Sequence, residues 1–460
     1  GWQRRVLAAG RVTLSVFHGD VAEGLADLQT RQQQPVDAWF LDGFAPDRNP
    51  DMWRPDLFTR IADMSRAQSS VTTFTAVGQV RRDLQSAGFT MRRVDQRPHK
   101  RESLAGRLMG KPARQPIIPP KRVSVVGGGI AAASTARHLA EQGIGVDLIA
   151  PTGLADGASQ ITSAVCHGRL LGDRSAAADL RAQAFLYSTA YLRQAVGFDG
   201  HGVLQVQGPT MDARKLGRIS TAYDASNPAQ GWVDACTPEQ AYQRSGFRPQ
   251  GDSLWFAQAG AIDLAATTRA LVDHPGIEPL TRPTAQDQPE VWCTADAILQ
   301  VSGCEHLEIS TIHGQLDVYR HATNIRAPIV GNGYFVPGAG EITLGATYEY
   351  SPWSTARARA HNLDANRPYL NDADLGPAAR SIKAARAVSS DRTPIIGPLG
   401  DLWLNLAHGS MGATTAPLGA AVIASRLLGW ISPVNPAVET VLDPDRFARR
   451  QARRGRRHGR

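Results

Sequence analysis

The stretch Arg122-Val123-Ser124-Val125-Val126-Gly127-Gly128-Gly129-Ile130-Ala131-Ala132 decides the fold. Its first five residues form a short, mostly apolar run, the pattern of a strand buried on both faces. The spacing predicts a helix over 131–141, stopped by Gly143, and a second strand over 146–149. Strand, glycine loop, helix and strand in about thirty residues make one βαβ unit. Gly127, Gly129 and Ala132 stand at the Gly-x-Gly-x-x-Ala spacing. Gly127 permits a tight turn, Gly129 lets the backbone approach a pyrophosphate, and Ala132 lets helix and strand pack closely. The helix then offers unpaired N–H groups and a partial positive charge to the phosphates. Gly127, Gly128, Gly129, Ile130 and Ala132 are therefore candidate contacts for a dinucleotide cofactor; the alternative is a glycine turn with no ligand. The acidic residue that usually closes the second strand and binds the ribose is absent, because Asp147 lies inside the strand. Adenosine binding is expected to use other groups.

Working outward, a second strand–turn–helix pattern lies near the far end of the chain. A strand is predicted over 402–406, a small-residue turn over 408–413 and a helix over 415–428. Ser410, Met411 and Gly412 are candidate cofactor contacts, since a helix N-terminus there would stabilise negative charge on a reduced flavin ring. The alternative is an ordinary pair of caps. Upstream, residues 110–120 hold four prolines and read as a linker. Before it, strands are predicted over 12–17, 36–41 and 71–74, helices over 21–28, 57–64 and 79–87, and a closing antiparallel pair over 89–94 and 103–108. The run over 36–41 reads as a buried strand. This is half of a doubly wound domain whose beginning is missing. Residues 279–289 read as a surface loop.

The 460 residues are 42% hydrophobic and 20% charged, which suits two or three packed domains and excludes wholesale disorder, collagen and coiled coil. No apolar run is long enough to cross a bilayer, and no signal peptide heads the chain. Residue 1 is glycine, which points to a fragment. The formal charge is +8, and eight arginines lie in the segment 446–460, so the rest of the chain is balanced. A polybasic end suits a polyanion such as RNA; the alternative is a solvated tail. Cys166, Cys236, Cys293 and Cys304 show no metal-ligand spacing, so no metal is expected, and a reduced cytoplasmic location is the default.

The segments Val36-Asp37-Ala38-Trp39-Phe40-Leu41-Asp42-Gly43-Phe44-Ala45-Pro46 and Asn49-Pro50-Asp51-Met52-Trp53 closely resemble the methyltransferase domain of the bifunctional tRNA 5-methylaminomethyl-2-thiouridine biosynthesis family. Phe74-Thr75, Val80-Arg81-Arg82, Leu84-Gln85, Ala87-Gly88-Phe89 and Lys100-Arg101-Glu102 continue the match. Later segments are similar to that family's FAD-dependent oxidoreductase of the D-amino-acid-oxidase type: Gly157-Ala158-Ser159, Gly333-Tyr334, Gly345-Ala346-Thr347-Tyr348 and Pro394-Ile395-Ile396-Gly397. The resemblance covers nearly the whole chain. It implies an α/β architecture: a partial Rossmann-like methyltransferase domain (1–109), the linker (110–120), then a Rossmann-type FAD-binding domain with an inserted mixed-sheet substrate domain (121–445) and a basic tail (446–460). It also implies two reactions on the wobble uridine of tRNA. FAD-dependent oxidation removes a carboxymethyl group to leave an aminomethyl group, and S-adenosylmethionine then methylates the amine.

The chain departs from the family in three places. The glycine-rich loop for S-adenosylmethionine would precede this sequence, and Gly10, Gly19 and Gly24 are isolated, so methylation by this chain alone is not expected. Gln68-Ser69-Ser70 replaces a glycine pair. Ser389-Ser390-Asp391 replaces a Thr-Arg-Asp pattern.

Asp42, just past a strand end, is the candidate acceptor of the amine proton during methylation, with Phe44 and Pro46 as apolar walls. The alternative is a turn-forming aspartate. Asp20 is a cofactor contact or a helix N-cap. The substrate of the oxidation carries a carboxylate, so a bidentate arginine is expected, and Arg386 is the candidate; a surface ion pair is the alternative. Tyr334 and Tyr348 are candidate pocket walls, or simple sheet packing. Ala158 and Ser159 are placed near the flavin. The Arg81-Arg82, Arg92-Arg93 and Lys100-Arg101 pairs offer a face to RNA. Two other functions fit the sequence: an FAD-dependent oxidase of free small amines such as glycine or sarcosine, or a non-catalytic tRNA-binding remnant.

Overall fold

The computed structural model describes residues 1–8, 12–110, 114–209, 211–227, 231–283, 288–370 and 375–458, with backbone only at 100, 101 and 456–458. Gly10, part of the linker and part of the 279–289 loop lie outside the described residues. The chain forms two compact units. One comprises 1–3, 15–119 and 425–433; the other comprises 4–14, 120–424 and 434–460.

The first unit is built on a four-stranded sheet in the order Val36–Leu41, Ser65–Thr73, Lys100–Leu108, Phe89–Gln96. The first pair is parallel and the other two are antiparallel. The Pro55–Met64 helix starts with proline at its first turn and buries Leu57, Phe58, Ile61 and Met64, the spacing of one helical face. These side chains join Val71, Val80, Leu84, Phe89 and Leu104 in the core. The Gly78–Ser86 helix is followed by Gly88 at φ +101°. One expectation is corrected here. Among the described residues Val36–Leu41 pairs on one side only, an edge strand and not a doubly covered one, and Phe40 is 79% exposed. Apart from this sheet, a strand over Trp2–Leu7, which the sequence reading did not find, forms a two-stranded sheet with Val12–Phe17, and residues 4–14 of this pair belong to the second unit. The linker is not slack: Arg114 Nη2 donates to Gln29 O at 2.7 Å and Gln34 Nε2 to Ile117 O at 2.7 Å.

The second unit contains a six-stranded sheet in the order Ile277–Leu280, Gly145–Ile149, Arg122–Val126, Glu290–Trp292, Leu402–Leu406, Ile395–Leu399. All neighbours are parallel except the last pair. Arg122–Val126 is thus central, with Val123 and Val125 fully buried. The strand ending at Leu280 shortens the surface loop expected over 279–289. A mixed eight-stranded sheet is inserted between the Gly145–Ile149 and Leu402–Leu406 strands. It includes Val203–Gln205, Tyr334–Pro337, Glu341–Gly345, Ile309–Arg320 and Arg380–Ser389. The stretch from Arg446 is a helix, Arg446–His458, not a solvated tail. Phe447 is fully buried, Arg446 holds Asp391 through two hydrogen bonds of 2.9 and 3.1 Å, and Arg450 pairs with Glu308 at 2.5 Å. One apolar anchor and paired charges convert a basic run into packed structure.

Candidate active site

The glycine loop after Val126 is shaped by its surroundings. Gly127 has φ +136°, and a Cβ there would lie 2.6 Å from Cys293 O. A Cβ on Gly128 would lie 2.0 Å from Gly153 O. Neither position admits a side chain. Gly129 is the N-cap of the Ile130–Glu141 helix and supplies no capping side chain. Ser159 Oγ accepts from Ile130 N at 3.0 Å, so Ser159, with Ala158 beside it in the Gly157–Gln160 turn, sits against this helix start. Ala132 is fully buried, as close helix–strand packing requires. A side-chain-free backbone leading into a twelve-residue helix whose own N-cap residue carries no side chain fits a dinucleotide pyrophosphate. Asp147 is 1% exposed and is held by Arg122 Nε at 2.7 Å and Gln288 Nε2 at 2.9 Å. It is not available to a ribose.

The Leu402–Leu406 strand runs into a Gly409–Met411 turn and then a helix from Gly412, three residues earlier than the sequence suggests. His408 Nδ1 is 2.9 Å from Thr415 Oγ1, and Thr415 Oγ1 donates to Met411 O at 2.9 Å. Burial pushes the His408 imidazole down to about 4, so it is neutral near pH 7. Ser410 Oγ accepts from Arg169 Nη1 at 2.5 Å.

Arg386 projects from the Arg380–Ser389 strand, opposite Ile312. Its Nη2 donates to Thr347 O at 2.7 Å and to His313 O at 3.4 Å. A Cβ on Gly314 would lie 2.2 Å from that nitrogen, so Gly314 makes room for the guanidinium. A glycine inside a strand signals such close approach, and the sequence reading passed over it. Arg386 has no carboxylate in ion-pair range among the described residues; burial lowers its guanidinium value, and the nearby Tyr334, Tyr348 and Glu349 oppose that shift. The alternative of a surface ion pair is therefore not what the fold holds. The guanidinium carbon lies 5.8 Å from the Tyr348 ring centre. Tyr334 OH donates to Ser163 O at 3.3 Å, and burial pushes its phenol up. Arg386, Tyr334 and Tyr348 are thus brought together.

Sequence reasoning missed Arg169, which follows the Ala164–Cys166 strand without a local motif. Solvent reaches its side chain, yet the surrounding protein lowers its guanidinium value, with Arg181, Arg386 and Arg392 adding to the effect.

The first unit contrasts with this. Asp42 is exposed and its Oδ1 accepts from Gly43 N at 2.9 Å, the turn-forming arrangement. Phe44 is 68% exposed, so it does not wall a pocket around Asp42; its carbonyl accepts from Trp53 Nε1 at 3.0 Å. Asp20 caps the Val21–Arg31 helix by accepting from Ala22 N at 2.8 Å. Cβ atoms on Gly19 and Gly24 would meet the Phe17 ring at 2.7 and 2.8 Å, so these glycines accommodate Phe17 and form no ligand cradle. Arg92 and Arg93 are exposed and Arg82 donates to Gln79 at 2.7 Å; the side chains of Lys100 and Arg101 lie outside the described residues. All four cysteines are free and buried. Among the described residues there is no metal-ligating cluster and no helix long and apolar enough to cross a membrane.

Residues 1–109 match the family described as S-adenosyl-L-methionine-dependent methyltransferase, and residues 122–426 match the FAD dependent oxidoreductases. A tRNA 5-methylaminomethyl-2-thiouridine biosynthesis bifunctional protein from Methylobacillus flagellatus is 32% identical over 98% of this chain and 77% of its own length. The protein of the same description from Pseudomonas aeruginosa is 31% identical over 99% and 80%. Among solved structures, glycine oxidase from Geobacillus kaustophilus superimposes with TM-score 0.57 at 16% identity, covering 70% of this chain and 98% of that one. Iminodiacetate oxidase from Chelativorans gives TM-score 0.54 at 19% identity, covering 68% and 97%. At these identities the likeness is one of fold.

Proposed function

The chain belongs to the bifunctional proteins of tRNA 5-methylaminomethyl-2-thiouridine biosynthesis, and from that premise we propose which of its residues carry the oxidative step. The enzyme modifies the wobble uridine of tRNA. Its oxidoreductase half removes the carboxymethyl group of 5-carboxymethylaminomethyl(-2-thio)uridine to give 5-aminomethyl(-2-thio)uridine, and in the family an S-adenosylmethionine-dependent methylation follows. We assign the methyltransferase part to 1–109, the linker to 110–120, the oxidoreductase to 121–445 and the basic end to 446–460. The place of action follows the tRNA, in the cytoplasm.

Gly127, Gly128, Gly129, Ile130 and Ala132 would hold the FAD pyrophosphate, with Ala158 and Ser159 beside it. Ser410, Met411 and Gly412 would face the ring. The bound flavin supplies the acceptor for a hydride from the carboxymethyl carbon. The substrate nitrogen gives up its proton, the resulting substrate imine adds water, and aminomethyluridine and glyoxylate separate. Arg386 orients the substrate by its carboxylate. Nη2 is fixed by Thr347 O and His313 O, while Nε and Nη1 make no hydrogen bond among the described residues. A guanidinium half-anchored and half-available is suited to a two-point carboxylate contact. Tyr334 and Tyr348 line the approach and keep water from that ion pair. The observation that carries this reading is the position of Arg386: its Nη2 is fixed by two carbonyls, no carboxylate lies in ion-pair range among the described residues, and it stands in the same unit as the glycine loop.

In the first unit no methylation step is assigned to Asp42, because its carboxylate is in water and bonded to its own turn. The test is nucleoside mass analysis of tRNA carrying the carboxymethylaminomethyl group after incubation with the flavin-loaded protein. 5-Aminomethyluridine is the expected product, with or without S-adenosylmethionine. Turnover of glycine with unchanged tRNA nucleosides would replace this reading with that of a small-amine oxidase.

A further inference from the structure

Beside the carboxylate-binding position the second unit gathers more positive charge than one carboxylate needs. Arg386 and Arg392 place their guanidinium carbons 5.8 and 5.5 Å from the centre of the Tyr348 ring. Arg169 reaches Ser410 Oγ, and Arg181 Nη1 donates to the Arg169 carbonyl at 3.1 Å. Neither Arg169 nor Arg392 has an acidic partner in ion-pair range among the described residues. Burial lowers the Arg169 guanidinium value, and Arg181, Arg386 and Arg392 add to that; Asp173 offsets Arg181 and Glu349 offsets Arg386.

The geometry around Arg392 is fixed. Its backbone is left-handed at φ +58°. On one side Asp391 is clasped by Arg446, and on the other Ser389 Oγ donates to Thr393 O at 2.6 Å. Asp391 also borders an open cleft of about 450 Å³ lined mostly by arginines of the last helix, Arg449 and Arg453 among them. Next to Tyr348 stands Tyr350, 74% exposed, with its ring centre 5.6 Å away and its plane tilted by 77°. Exposed aromatic rings interleaved with arginines suit single-stranded nucleic acid, whose bases stack and whose phosphates pair with guanidinium groups.

We propose that Tyr350, Arg392 and Arg169 form a nucleotide-binding rim, where Tyr350 stacks on a base next to the wobble uridine and the two arginines take the adjoining phosphodiester. This rests on the function proposed above, in which Arg386 takes the carboxylate. A free amino acid brings one carboxylate and would leave the other arginines uncompensated; an anticodon loop brings one further charge with every nucleotide.

The test compares two substrates, modified tRNA and the free nucleoside 5-carboxymethylaminomethyluridine. Arg392→Gln and Tyr350→Ala should each lower kcat/KM on tRNA about tenfold, with a far smaller change on the nucleoside and full flavin absorbance. Arg392→Gln should also flatten the log–log salt dependence of tRNA binding by about 0.7, while Arg392→Lys retains it. Equal losses on both substrates would assign these residues to the carboxylate site or to folding and overturn the rim. Binding of an unmodified anticodon stem-loop, read by fluorescence anisotropy, separates the two levels. If the wild type does not convert tRNA, the proposed function fails. If it converts tRNA but binds the stem-loop as tightly with Arg392→Gln, Arg169→Gln and Tyr350→Ala as without them, only the rim fails.

Discussion

Each unit ends a parallel strand in a short loop, Val36–Leu41 in Asp42-Gly43 and Arg122–Val126 in Gly127-Gly128-Gly129, and the two loops have different fates. The second strand has neighbours on both sides, so its loop is surrounded by other backbone and opens onto a helix start. The first has one neighbour, and its loop carboxylate stays in water. A loop acquires chemistry when the surrounding fold desolvates it; the residues alone do not confer it.

The contrast breaks most visibly at Gly128. Its φ is not in the left-handed region, so the steric contact of a Cβ with Gly153 O at 2.0 Å is the sole obstacle to a side chain. Gly128→Val should abolish flavin absorbance and tRNA oxidation together. Retained flavin would show that the strand end is not the cradle. Next in size is Arg386. Arg386→Gln should keep flavin and lower kcat/KM roughly 30-fold or more, since truncating one partner of a desolvated charge pair costs about 2–5 kcal/mol. Gly314→Ala, which presses on the same guanidinium, should produce a smaller loss expressed mainly in KM.

Acid separates the units next. His138 is buried against Tyr187 and the Ser134 carbonyl, and burial pushes it, like His408, down to about 4. Both belong to the second unit. Unfolded, each would titrate near 6.5. Between pH 6.5 and 4 the unfolded chain therefore binds protons that the folded unit refuses. Stability present above pH 6.5 falls as pH drops through that window, by on the order of 3 kcal/mol per histidine. Thermal melts from pH 7.5 to 4.5 should show the flavin-binding transition falling. His18 and His99, in the other unit, are exposed. Their transition should move less over the same range; equal shifts would remove the histidines as the cause.

What could be read in advance follows the same division. The βαβ unit was legible because its strand is central, so apolar run, glycines and buried alanines report a single environment. Arg386 was singled out because a carboxylate-bearing substrate calls for an arginine; in the fold its Nη2 is held by Thr347 O and His313 O. Arg169 was not, because it meets Ser410 across 241 residues and carries no local pattern; Tyr350, two residues beyond Tyr348, was passed over because nothing local distinguishes an exposed ring from sheet packing. The buried character given to the 36–41 run failed because side-chain polarity does not state how many neighbours a strand has. The solvated-tail reading of the basic end failed because one phenylalanine and two carboxylates far away in sequence anchor its start.

That last distinction can be measured with the smallest effect. Phe40 is as apolar as Leu148, and both lie on parallel strands, but Phe40 is 79% exposed and Leu148 is fully buried. Leu148→Ala removes contacts on every side and should cost about 3 kcal/mol. Phe40→Ser removes a ring already in water, so the stability of the first unit should change by about 0.5 kcal/mol or less. Denaturant midpoints of the two variants decide the matter. A loss for Phe40→Ser approaching that for Leu148→Ala would mean that a second strand or chain covers this edge in solution. The exposed position of Asp42, and with it the contrast between the two loops, would then have to be redrawn.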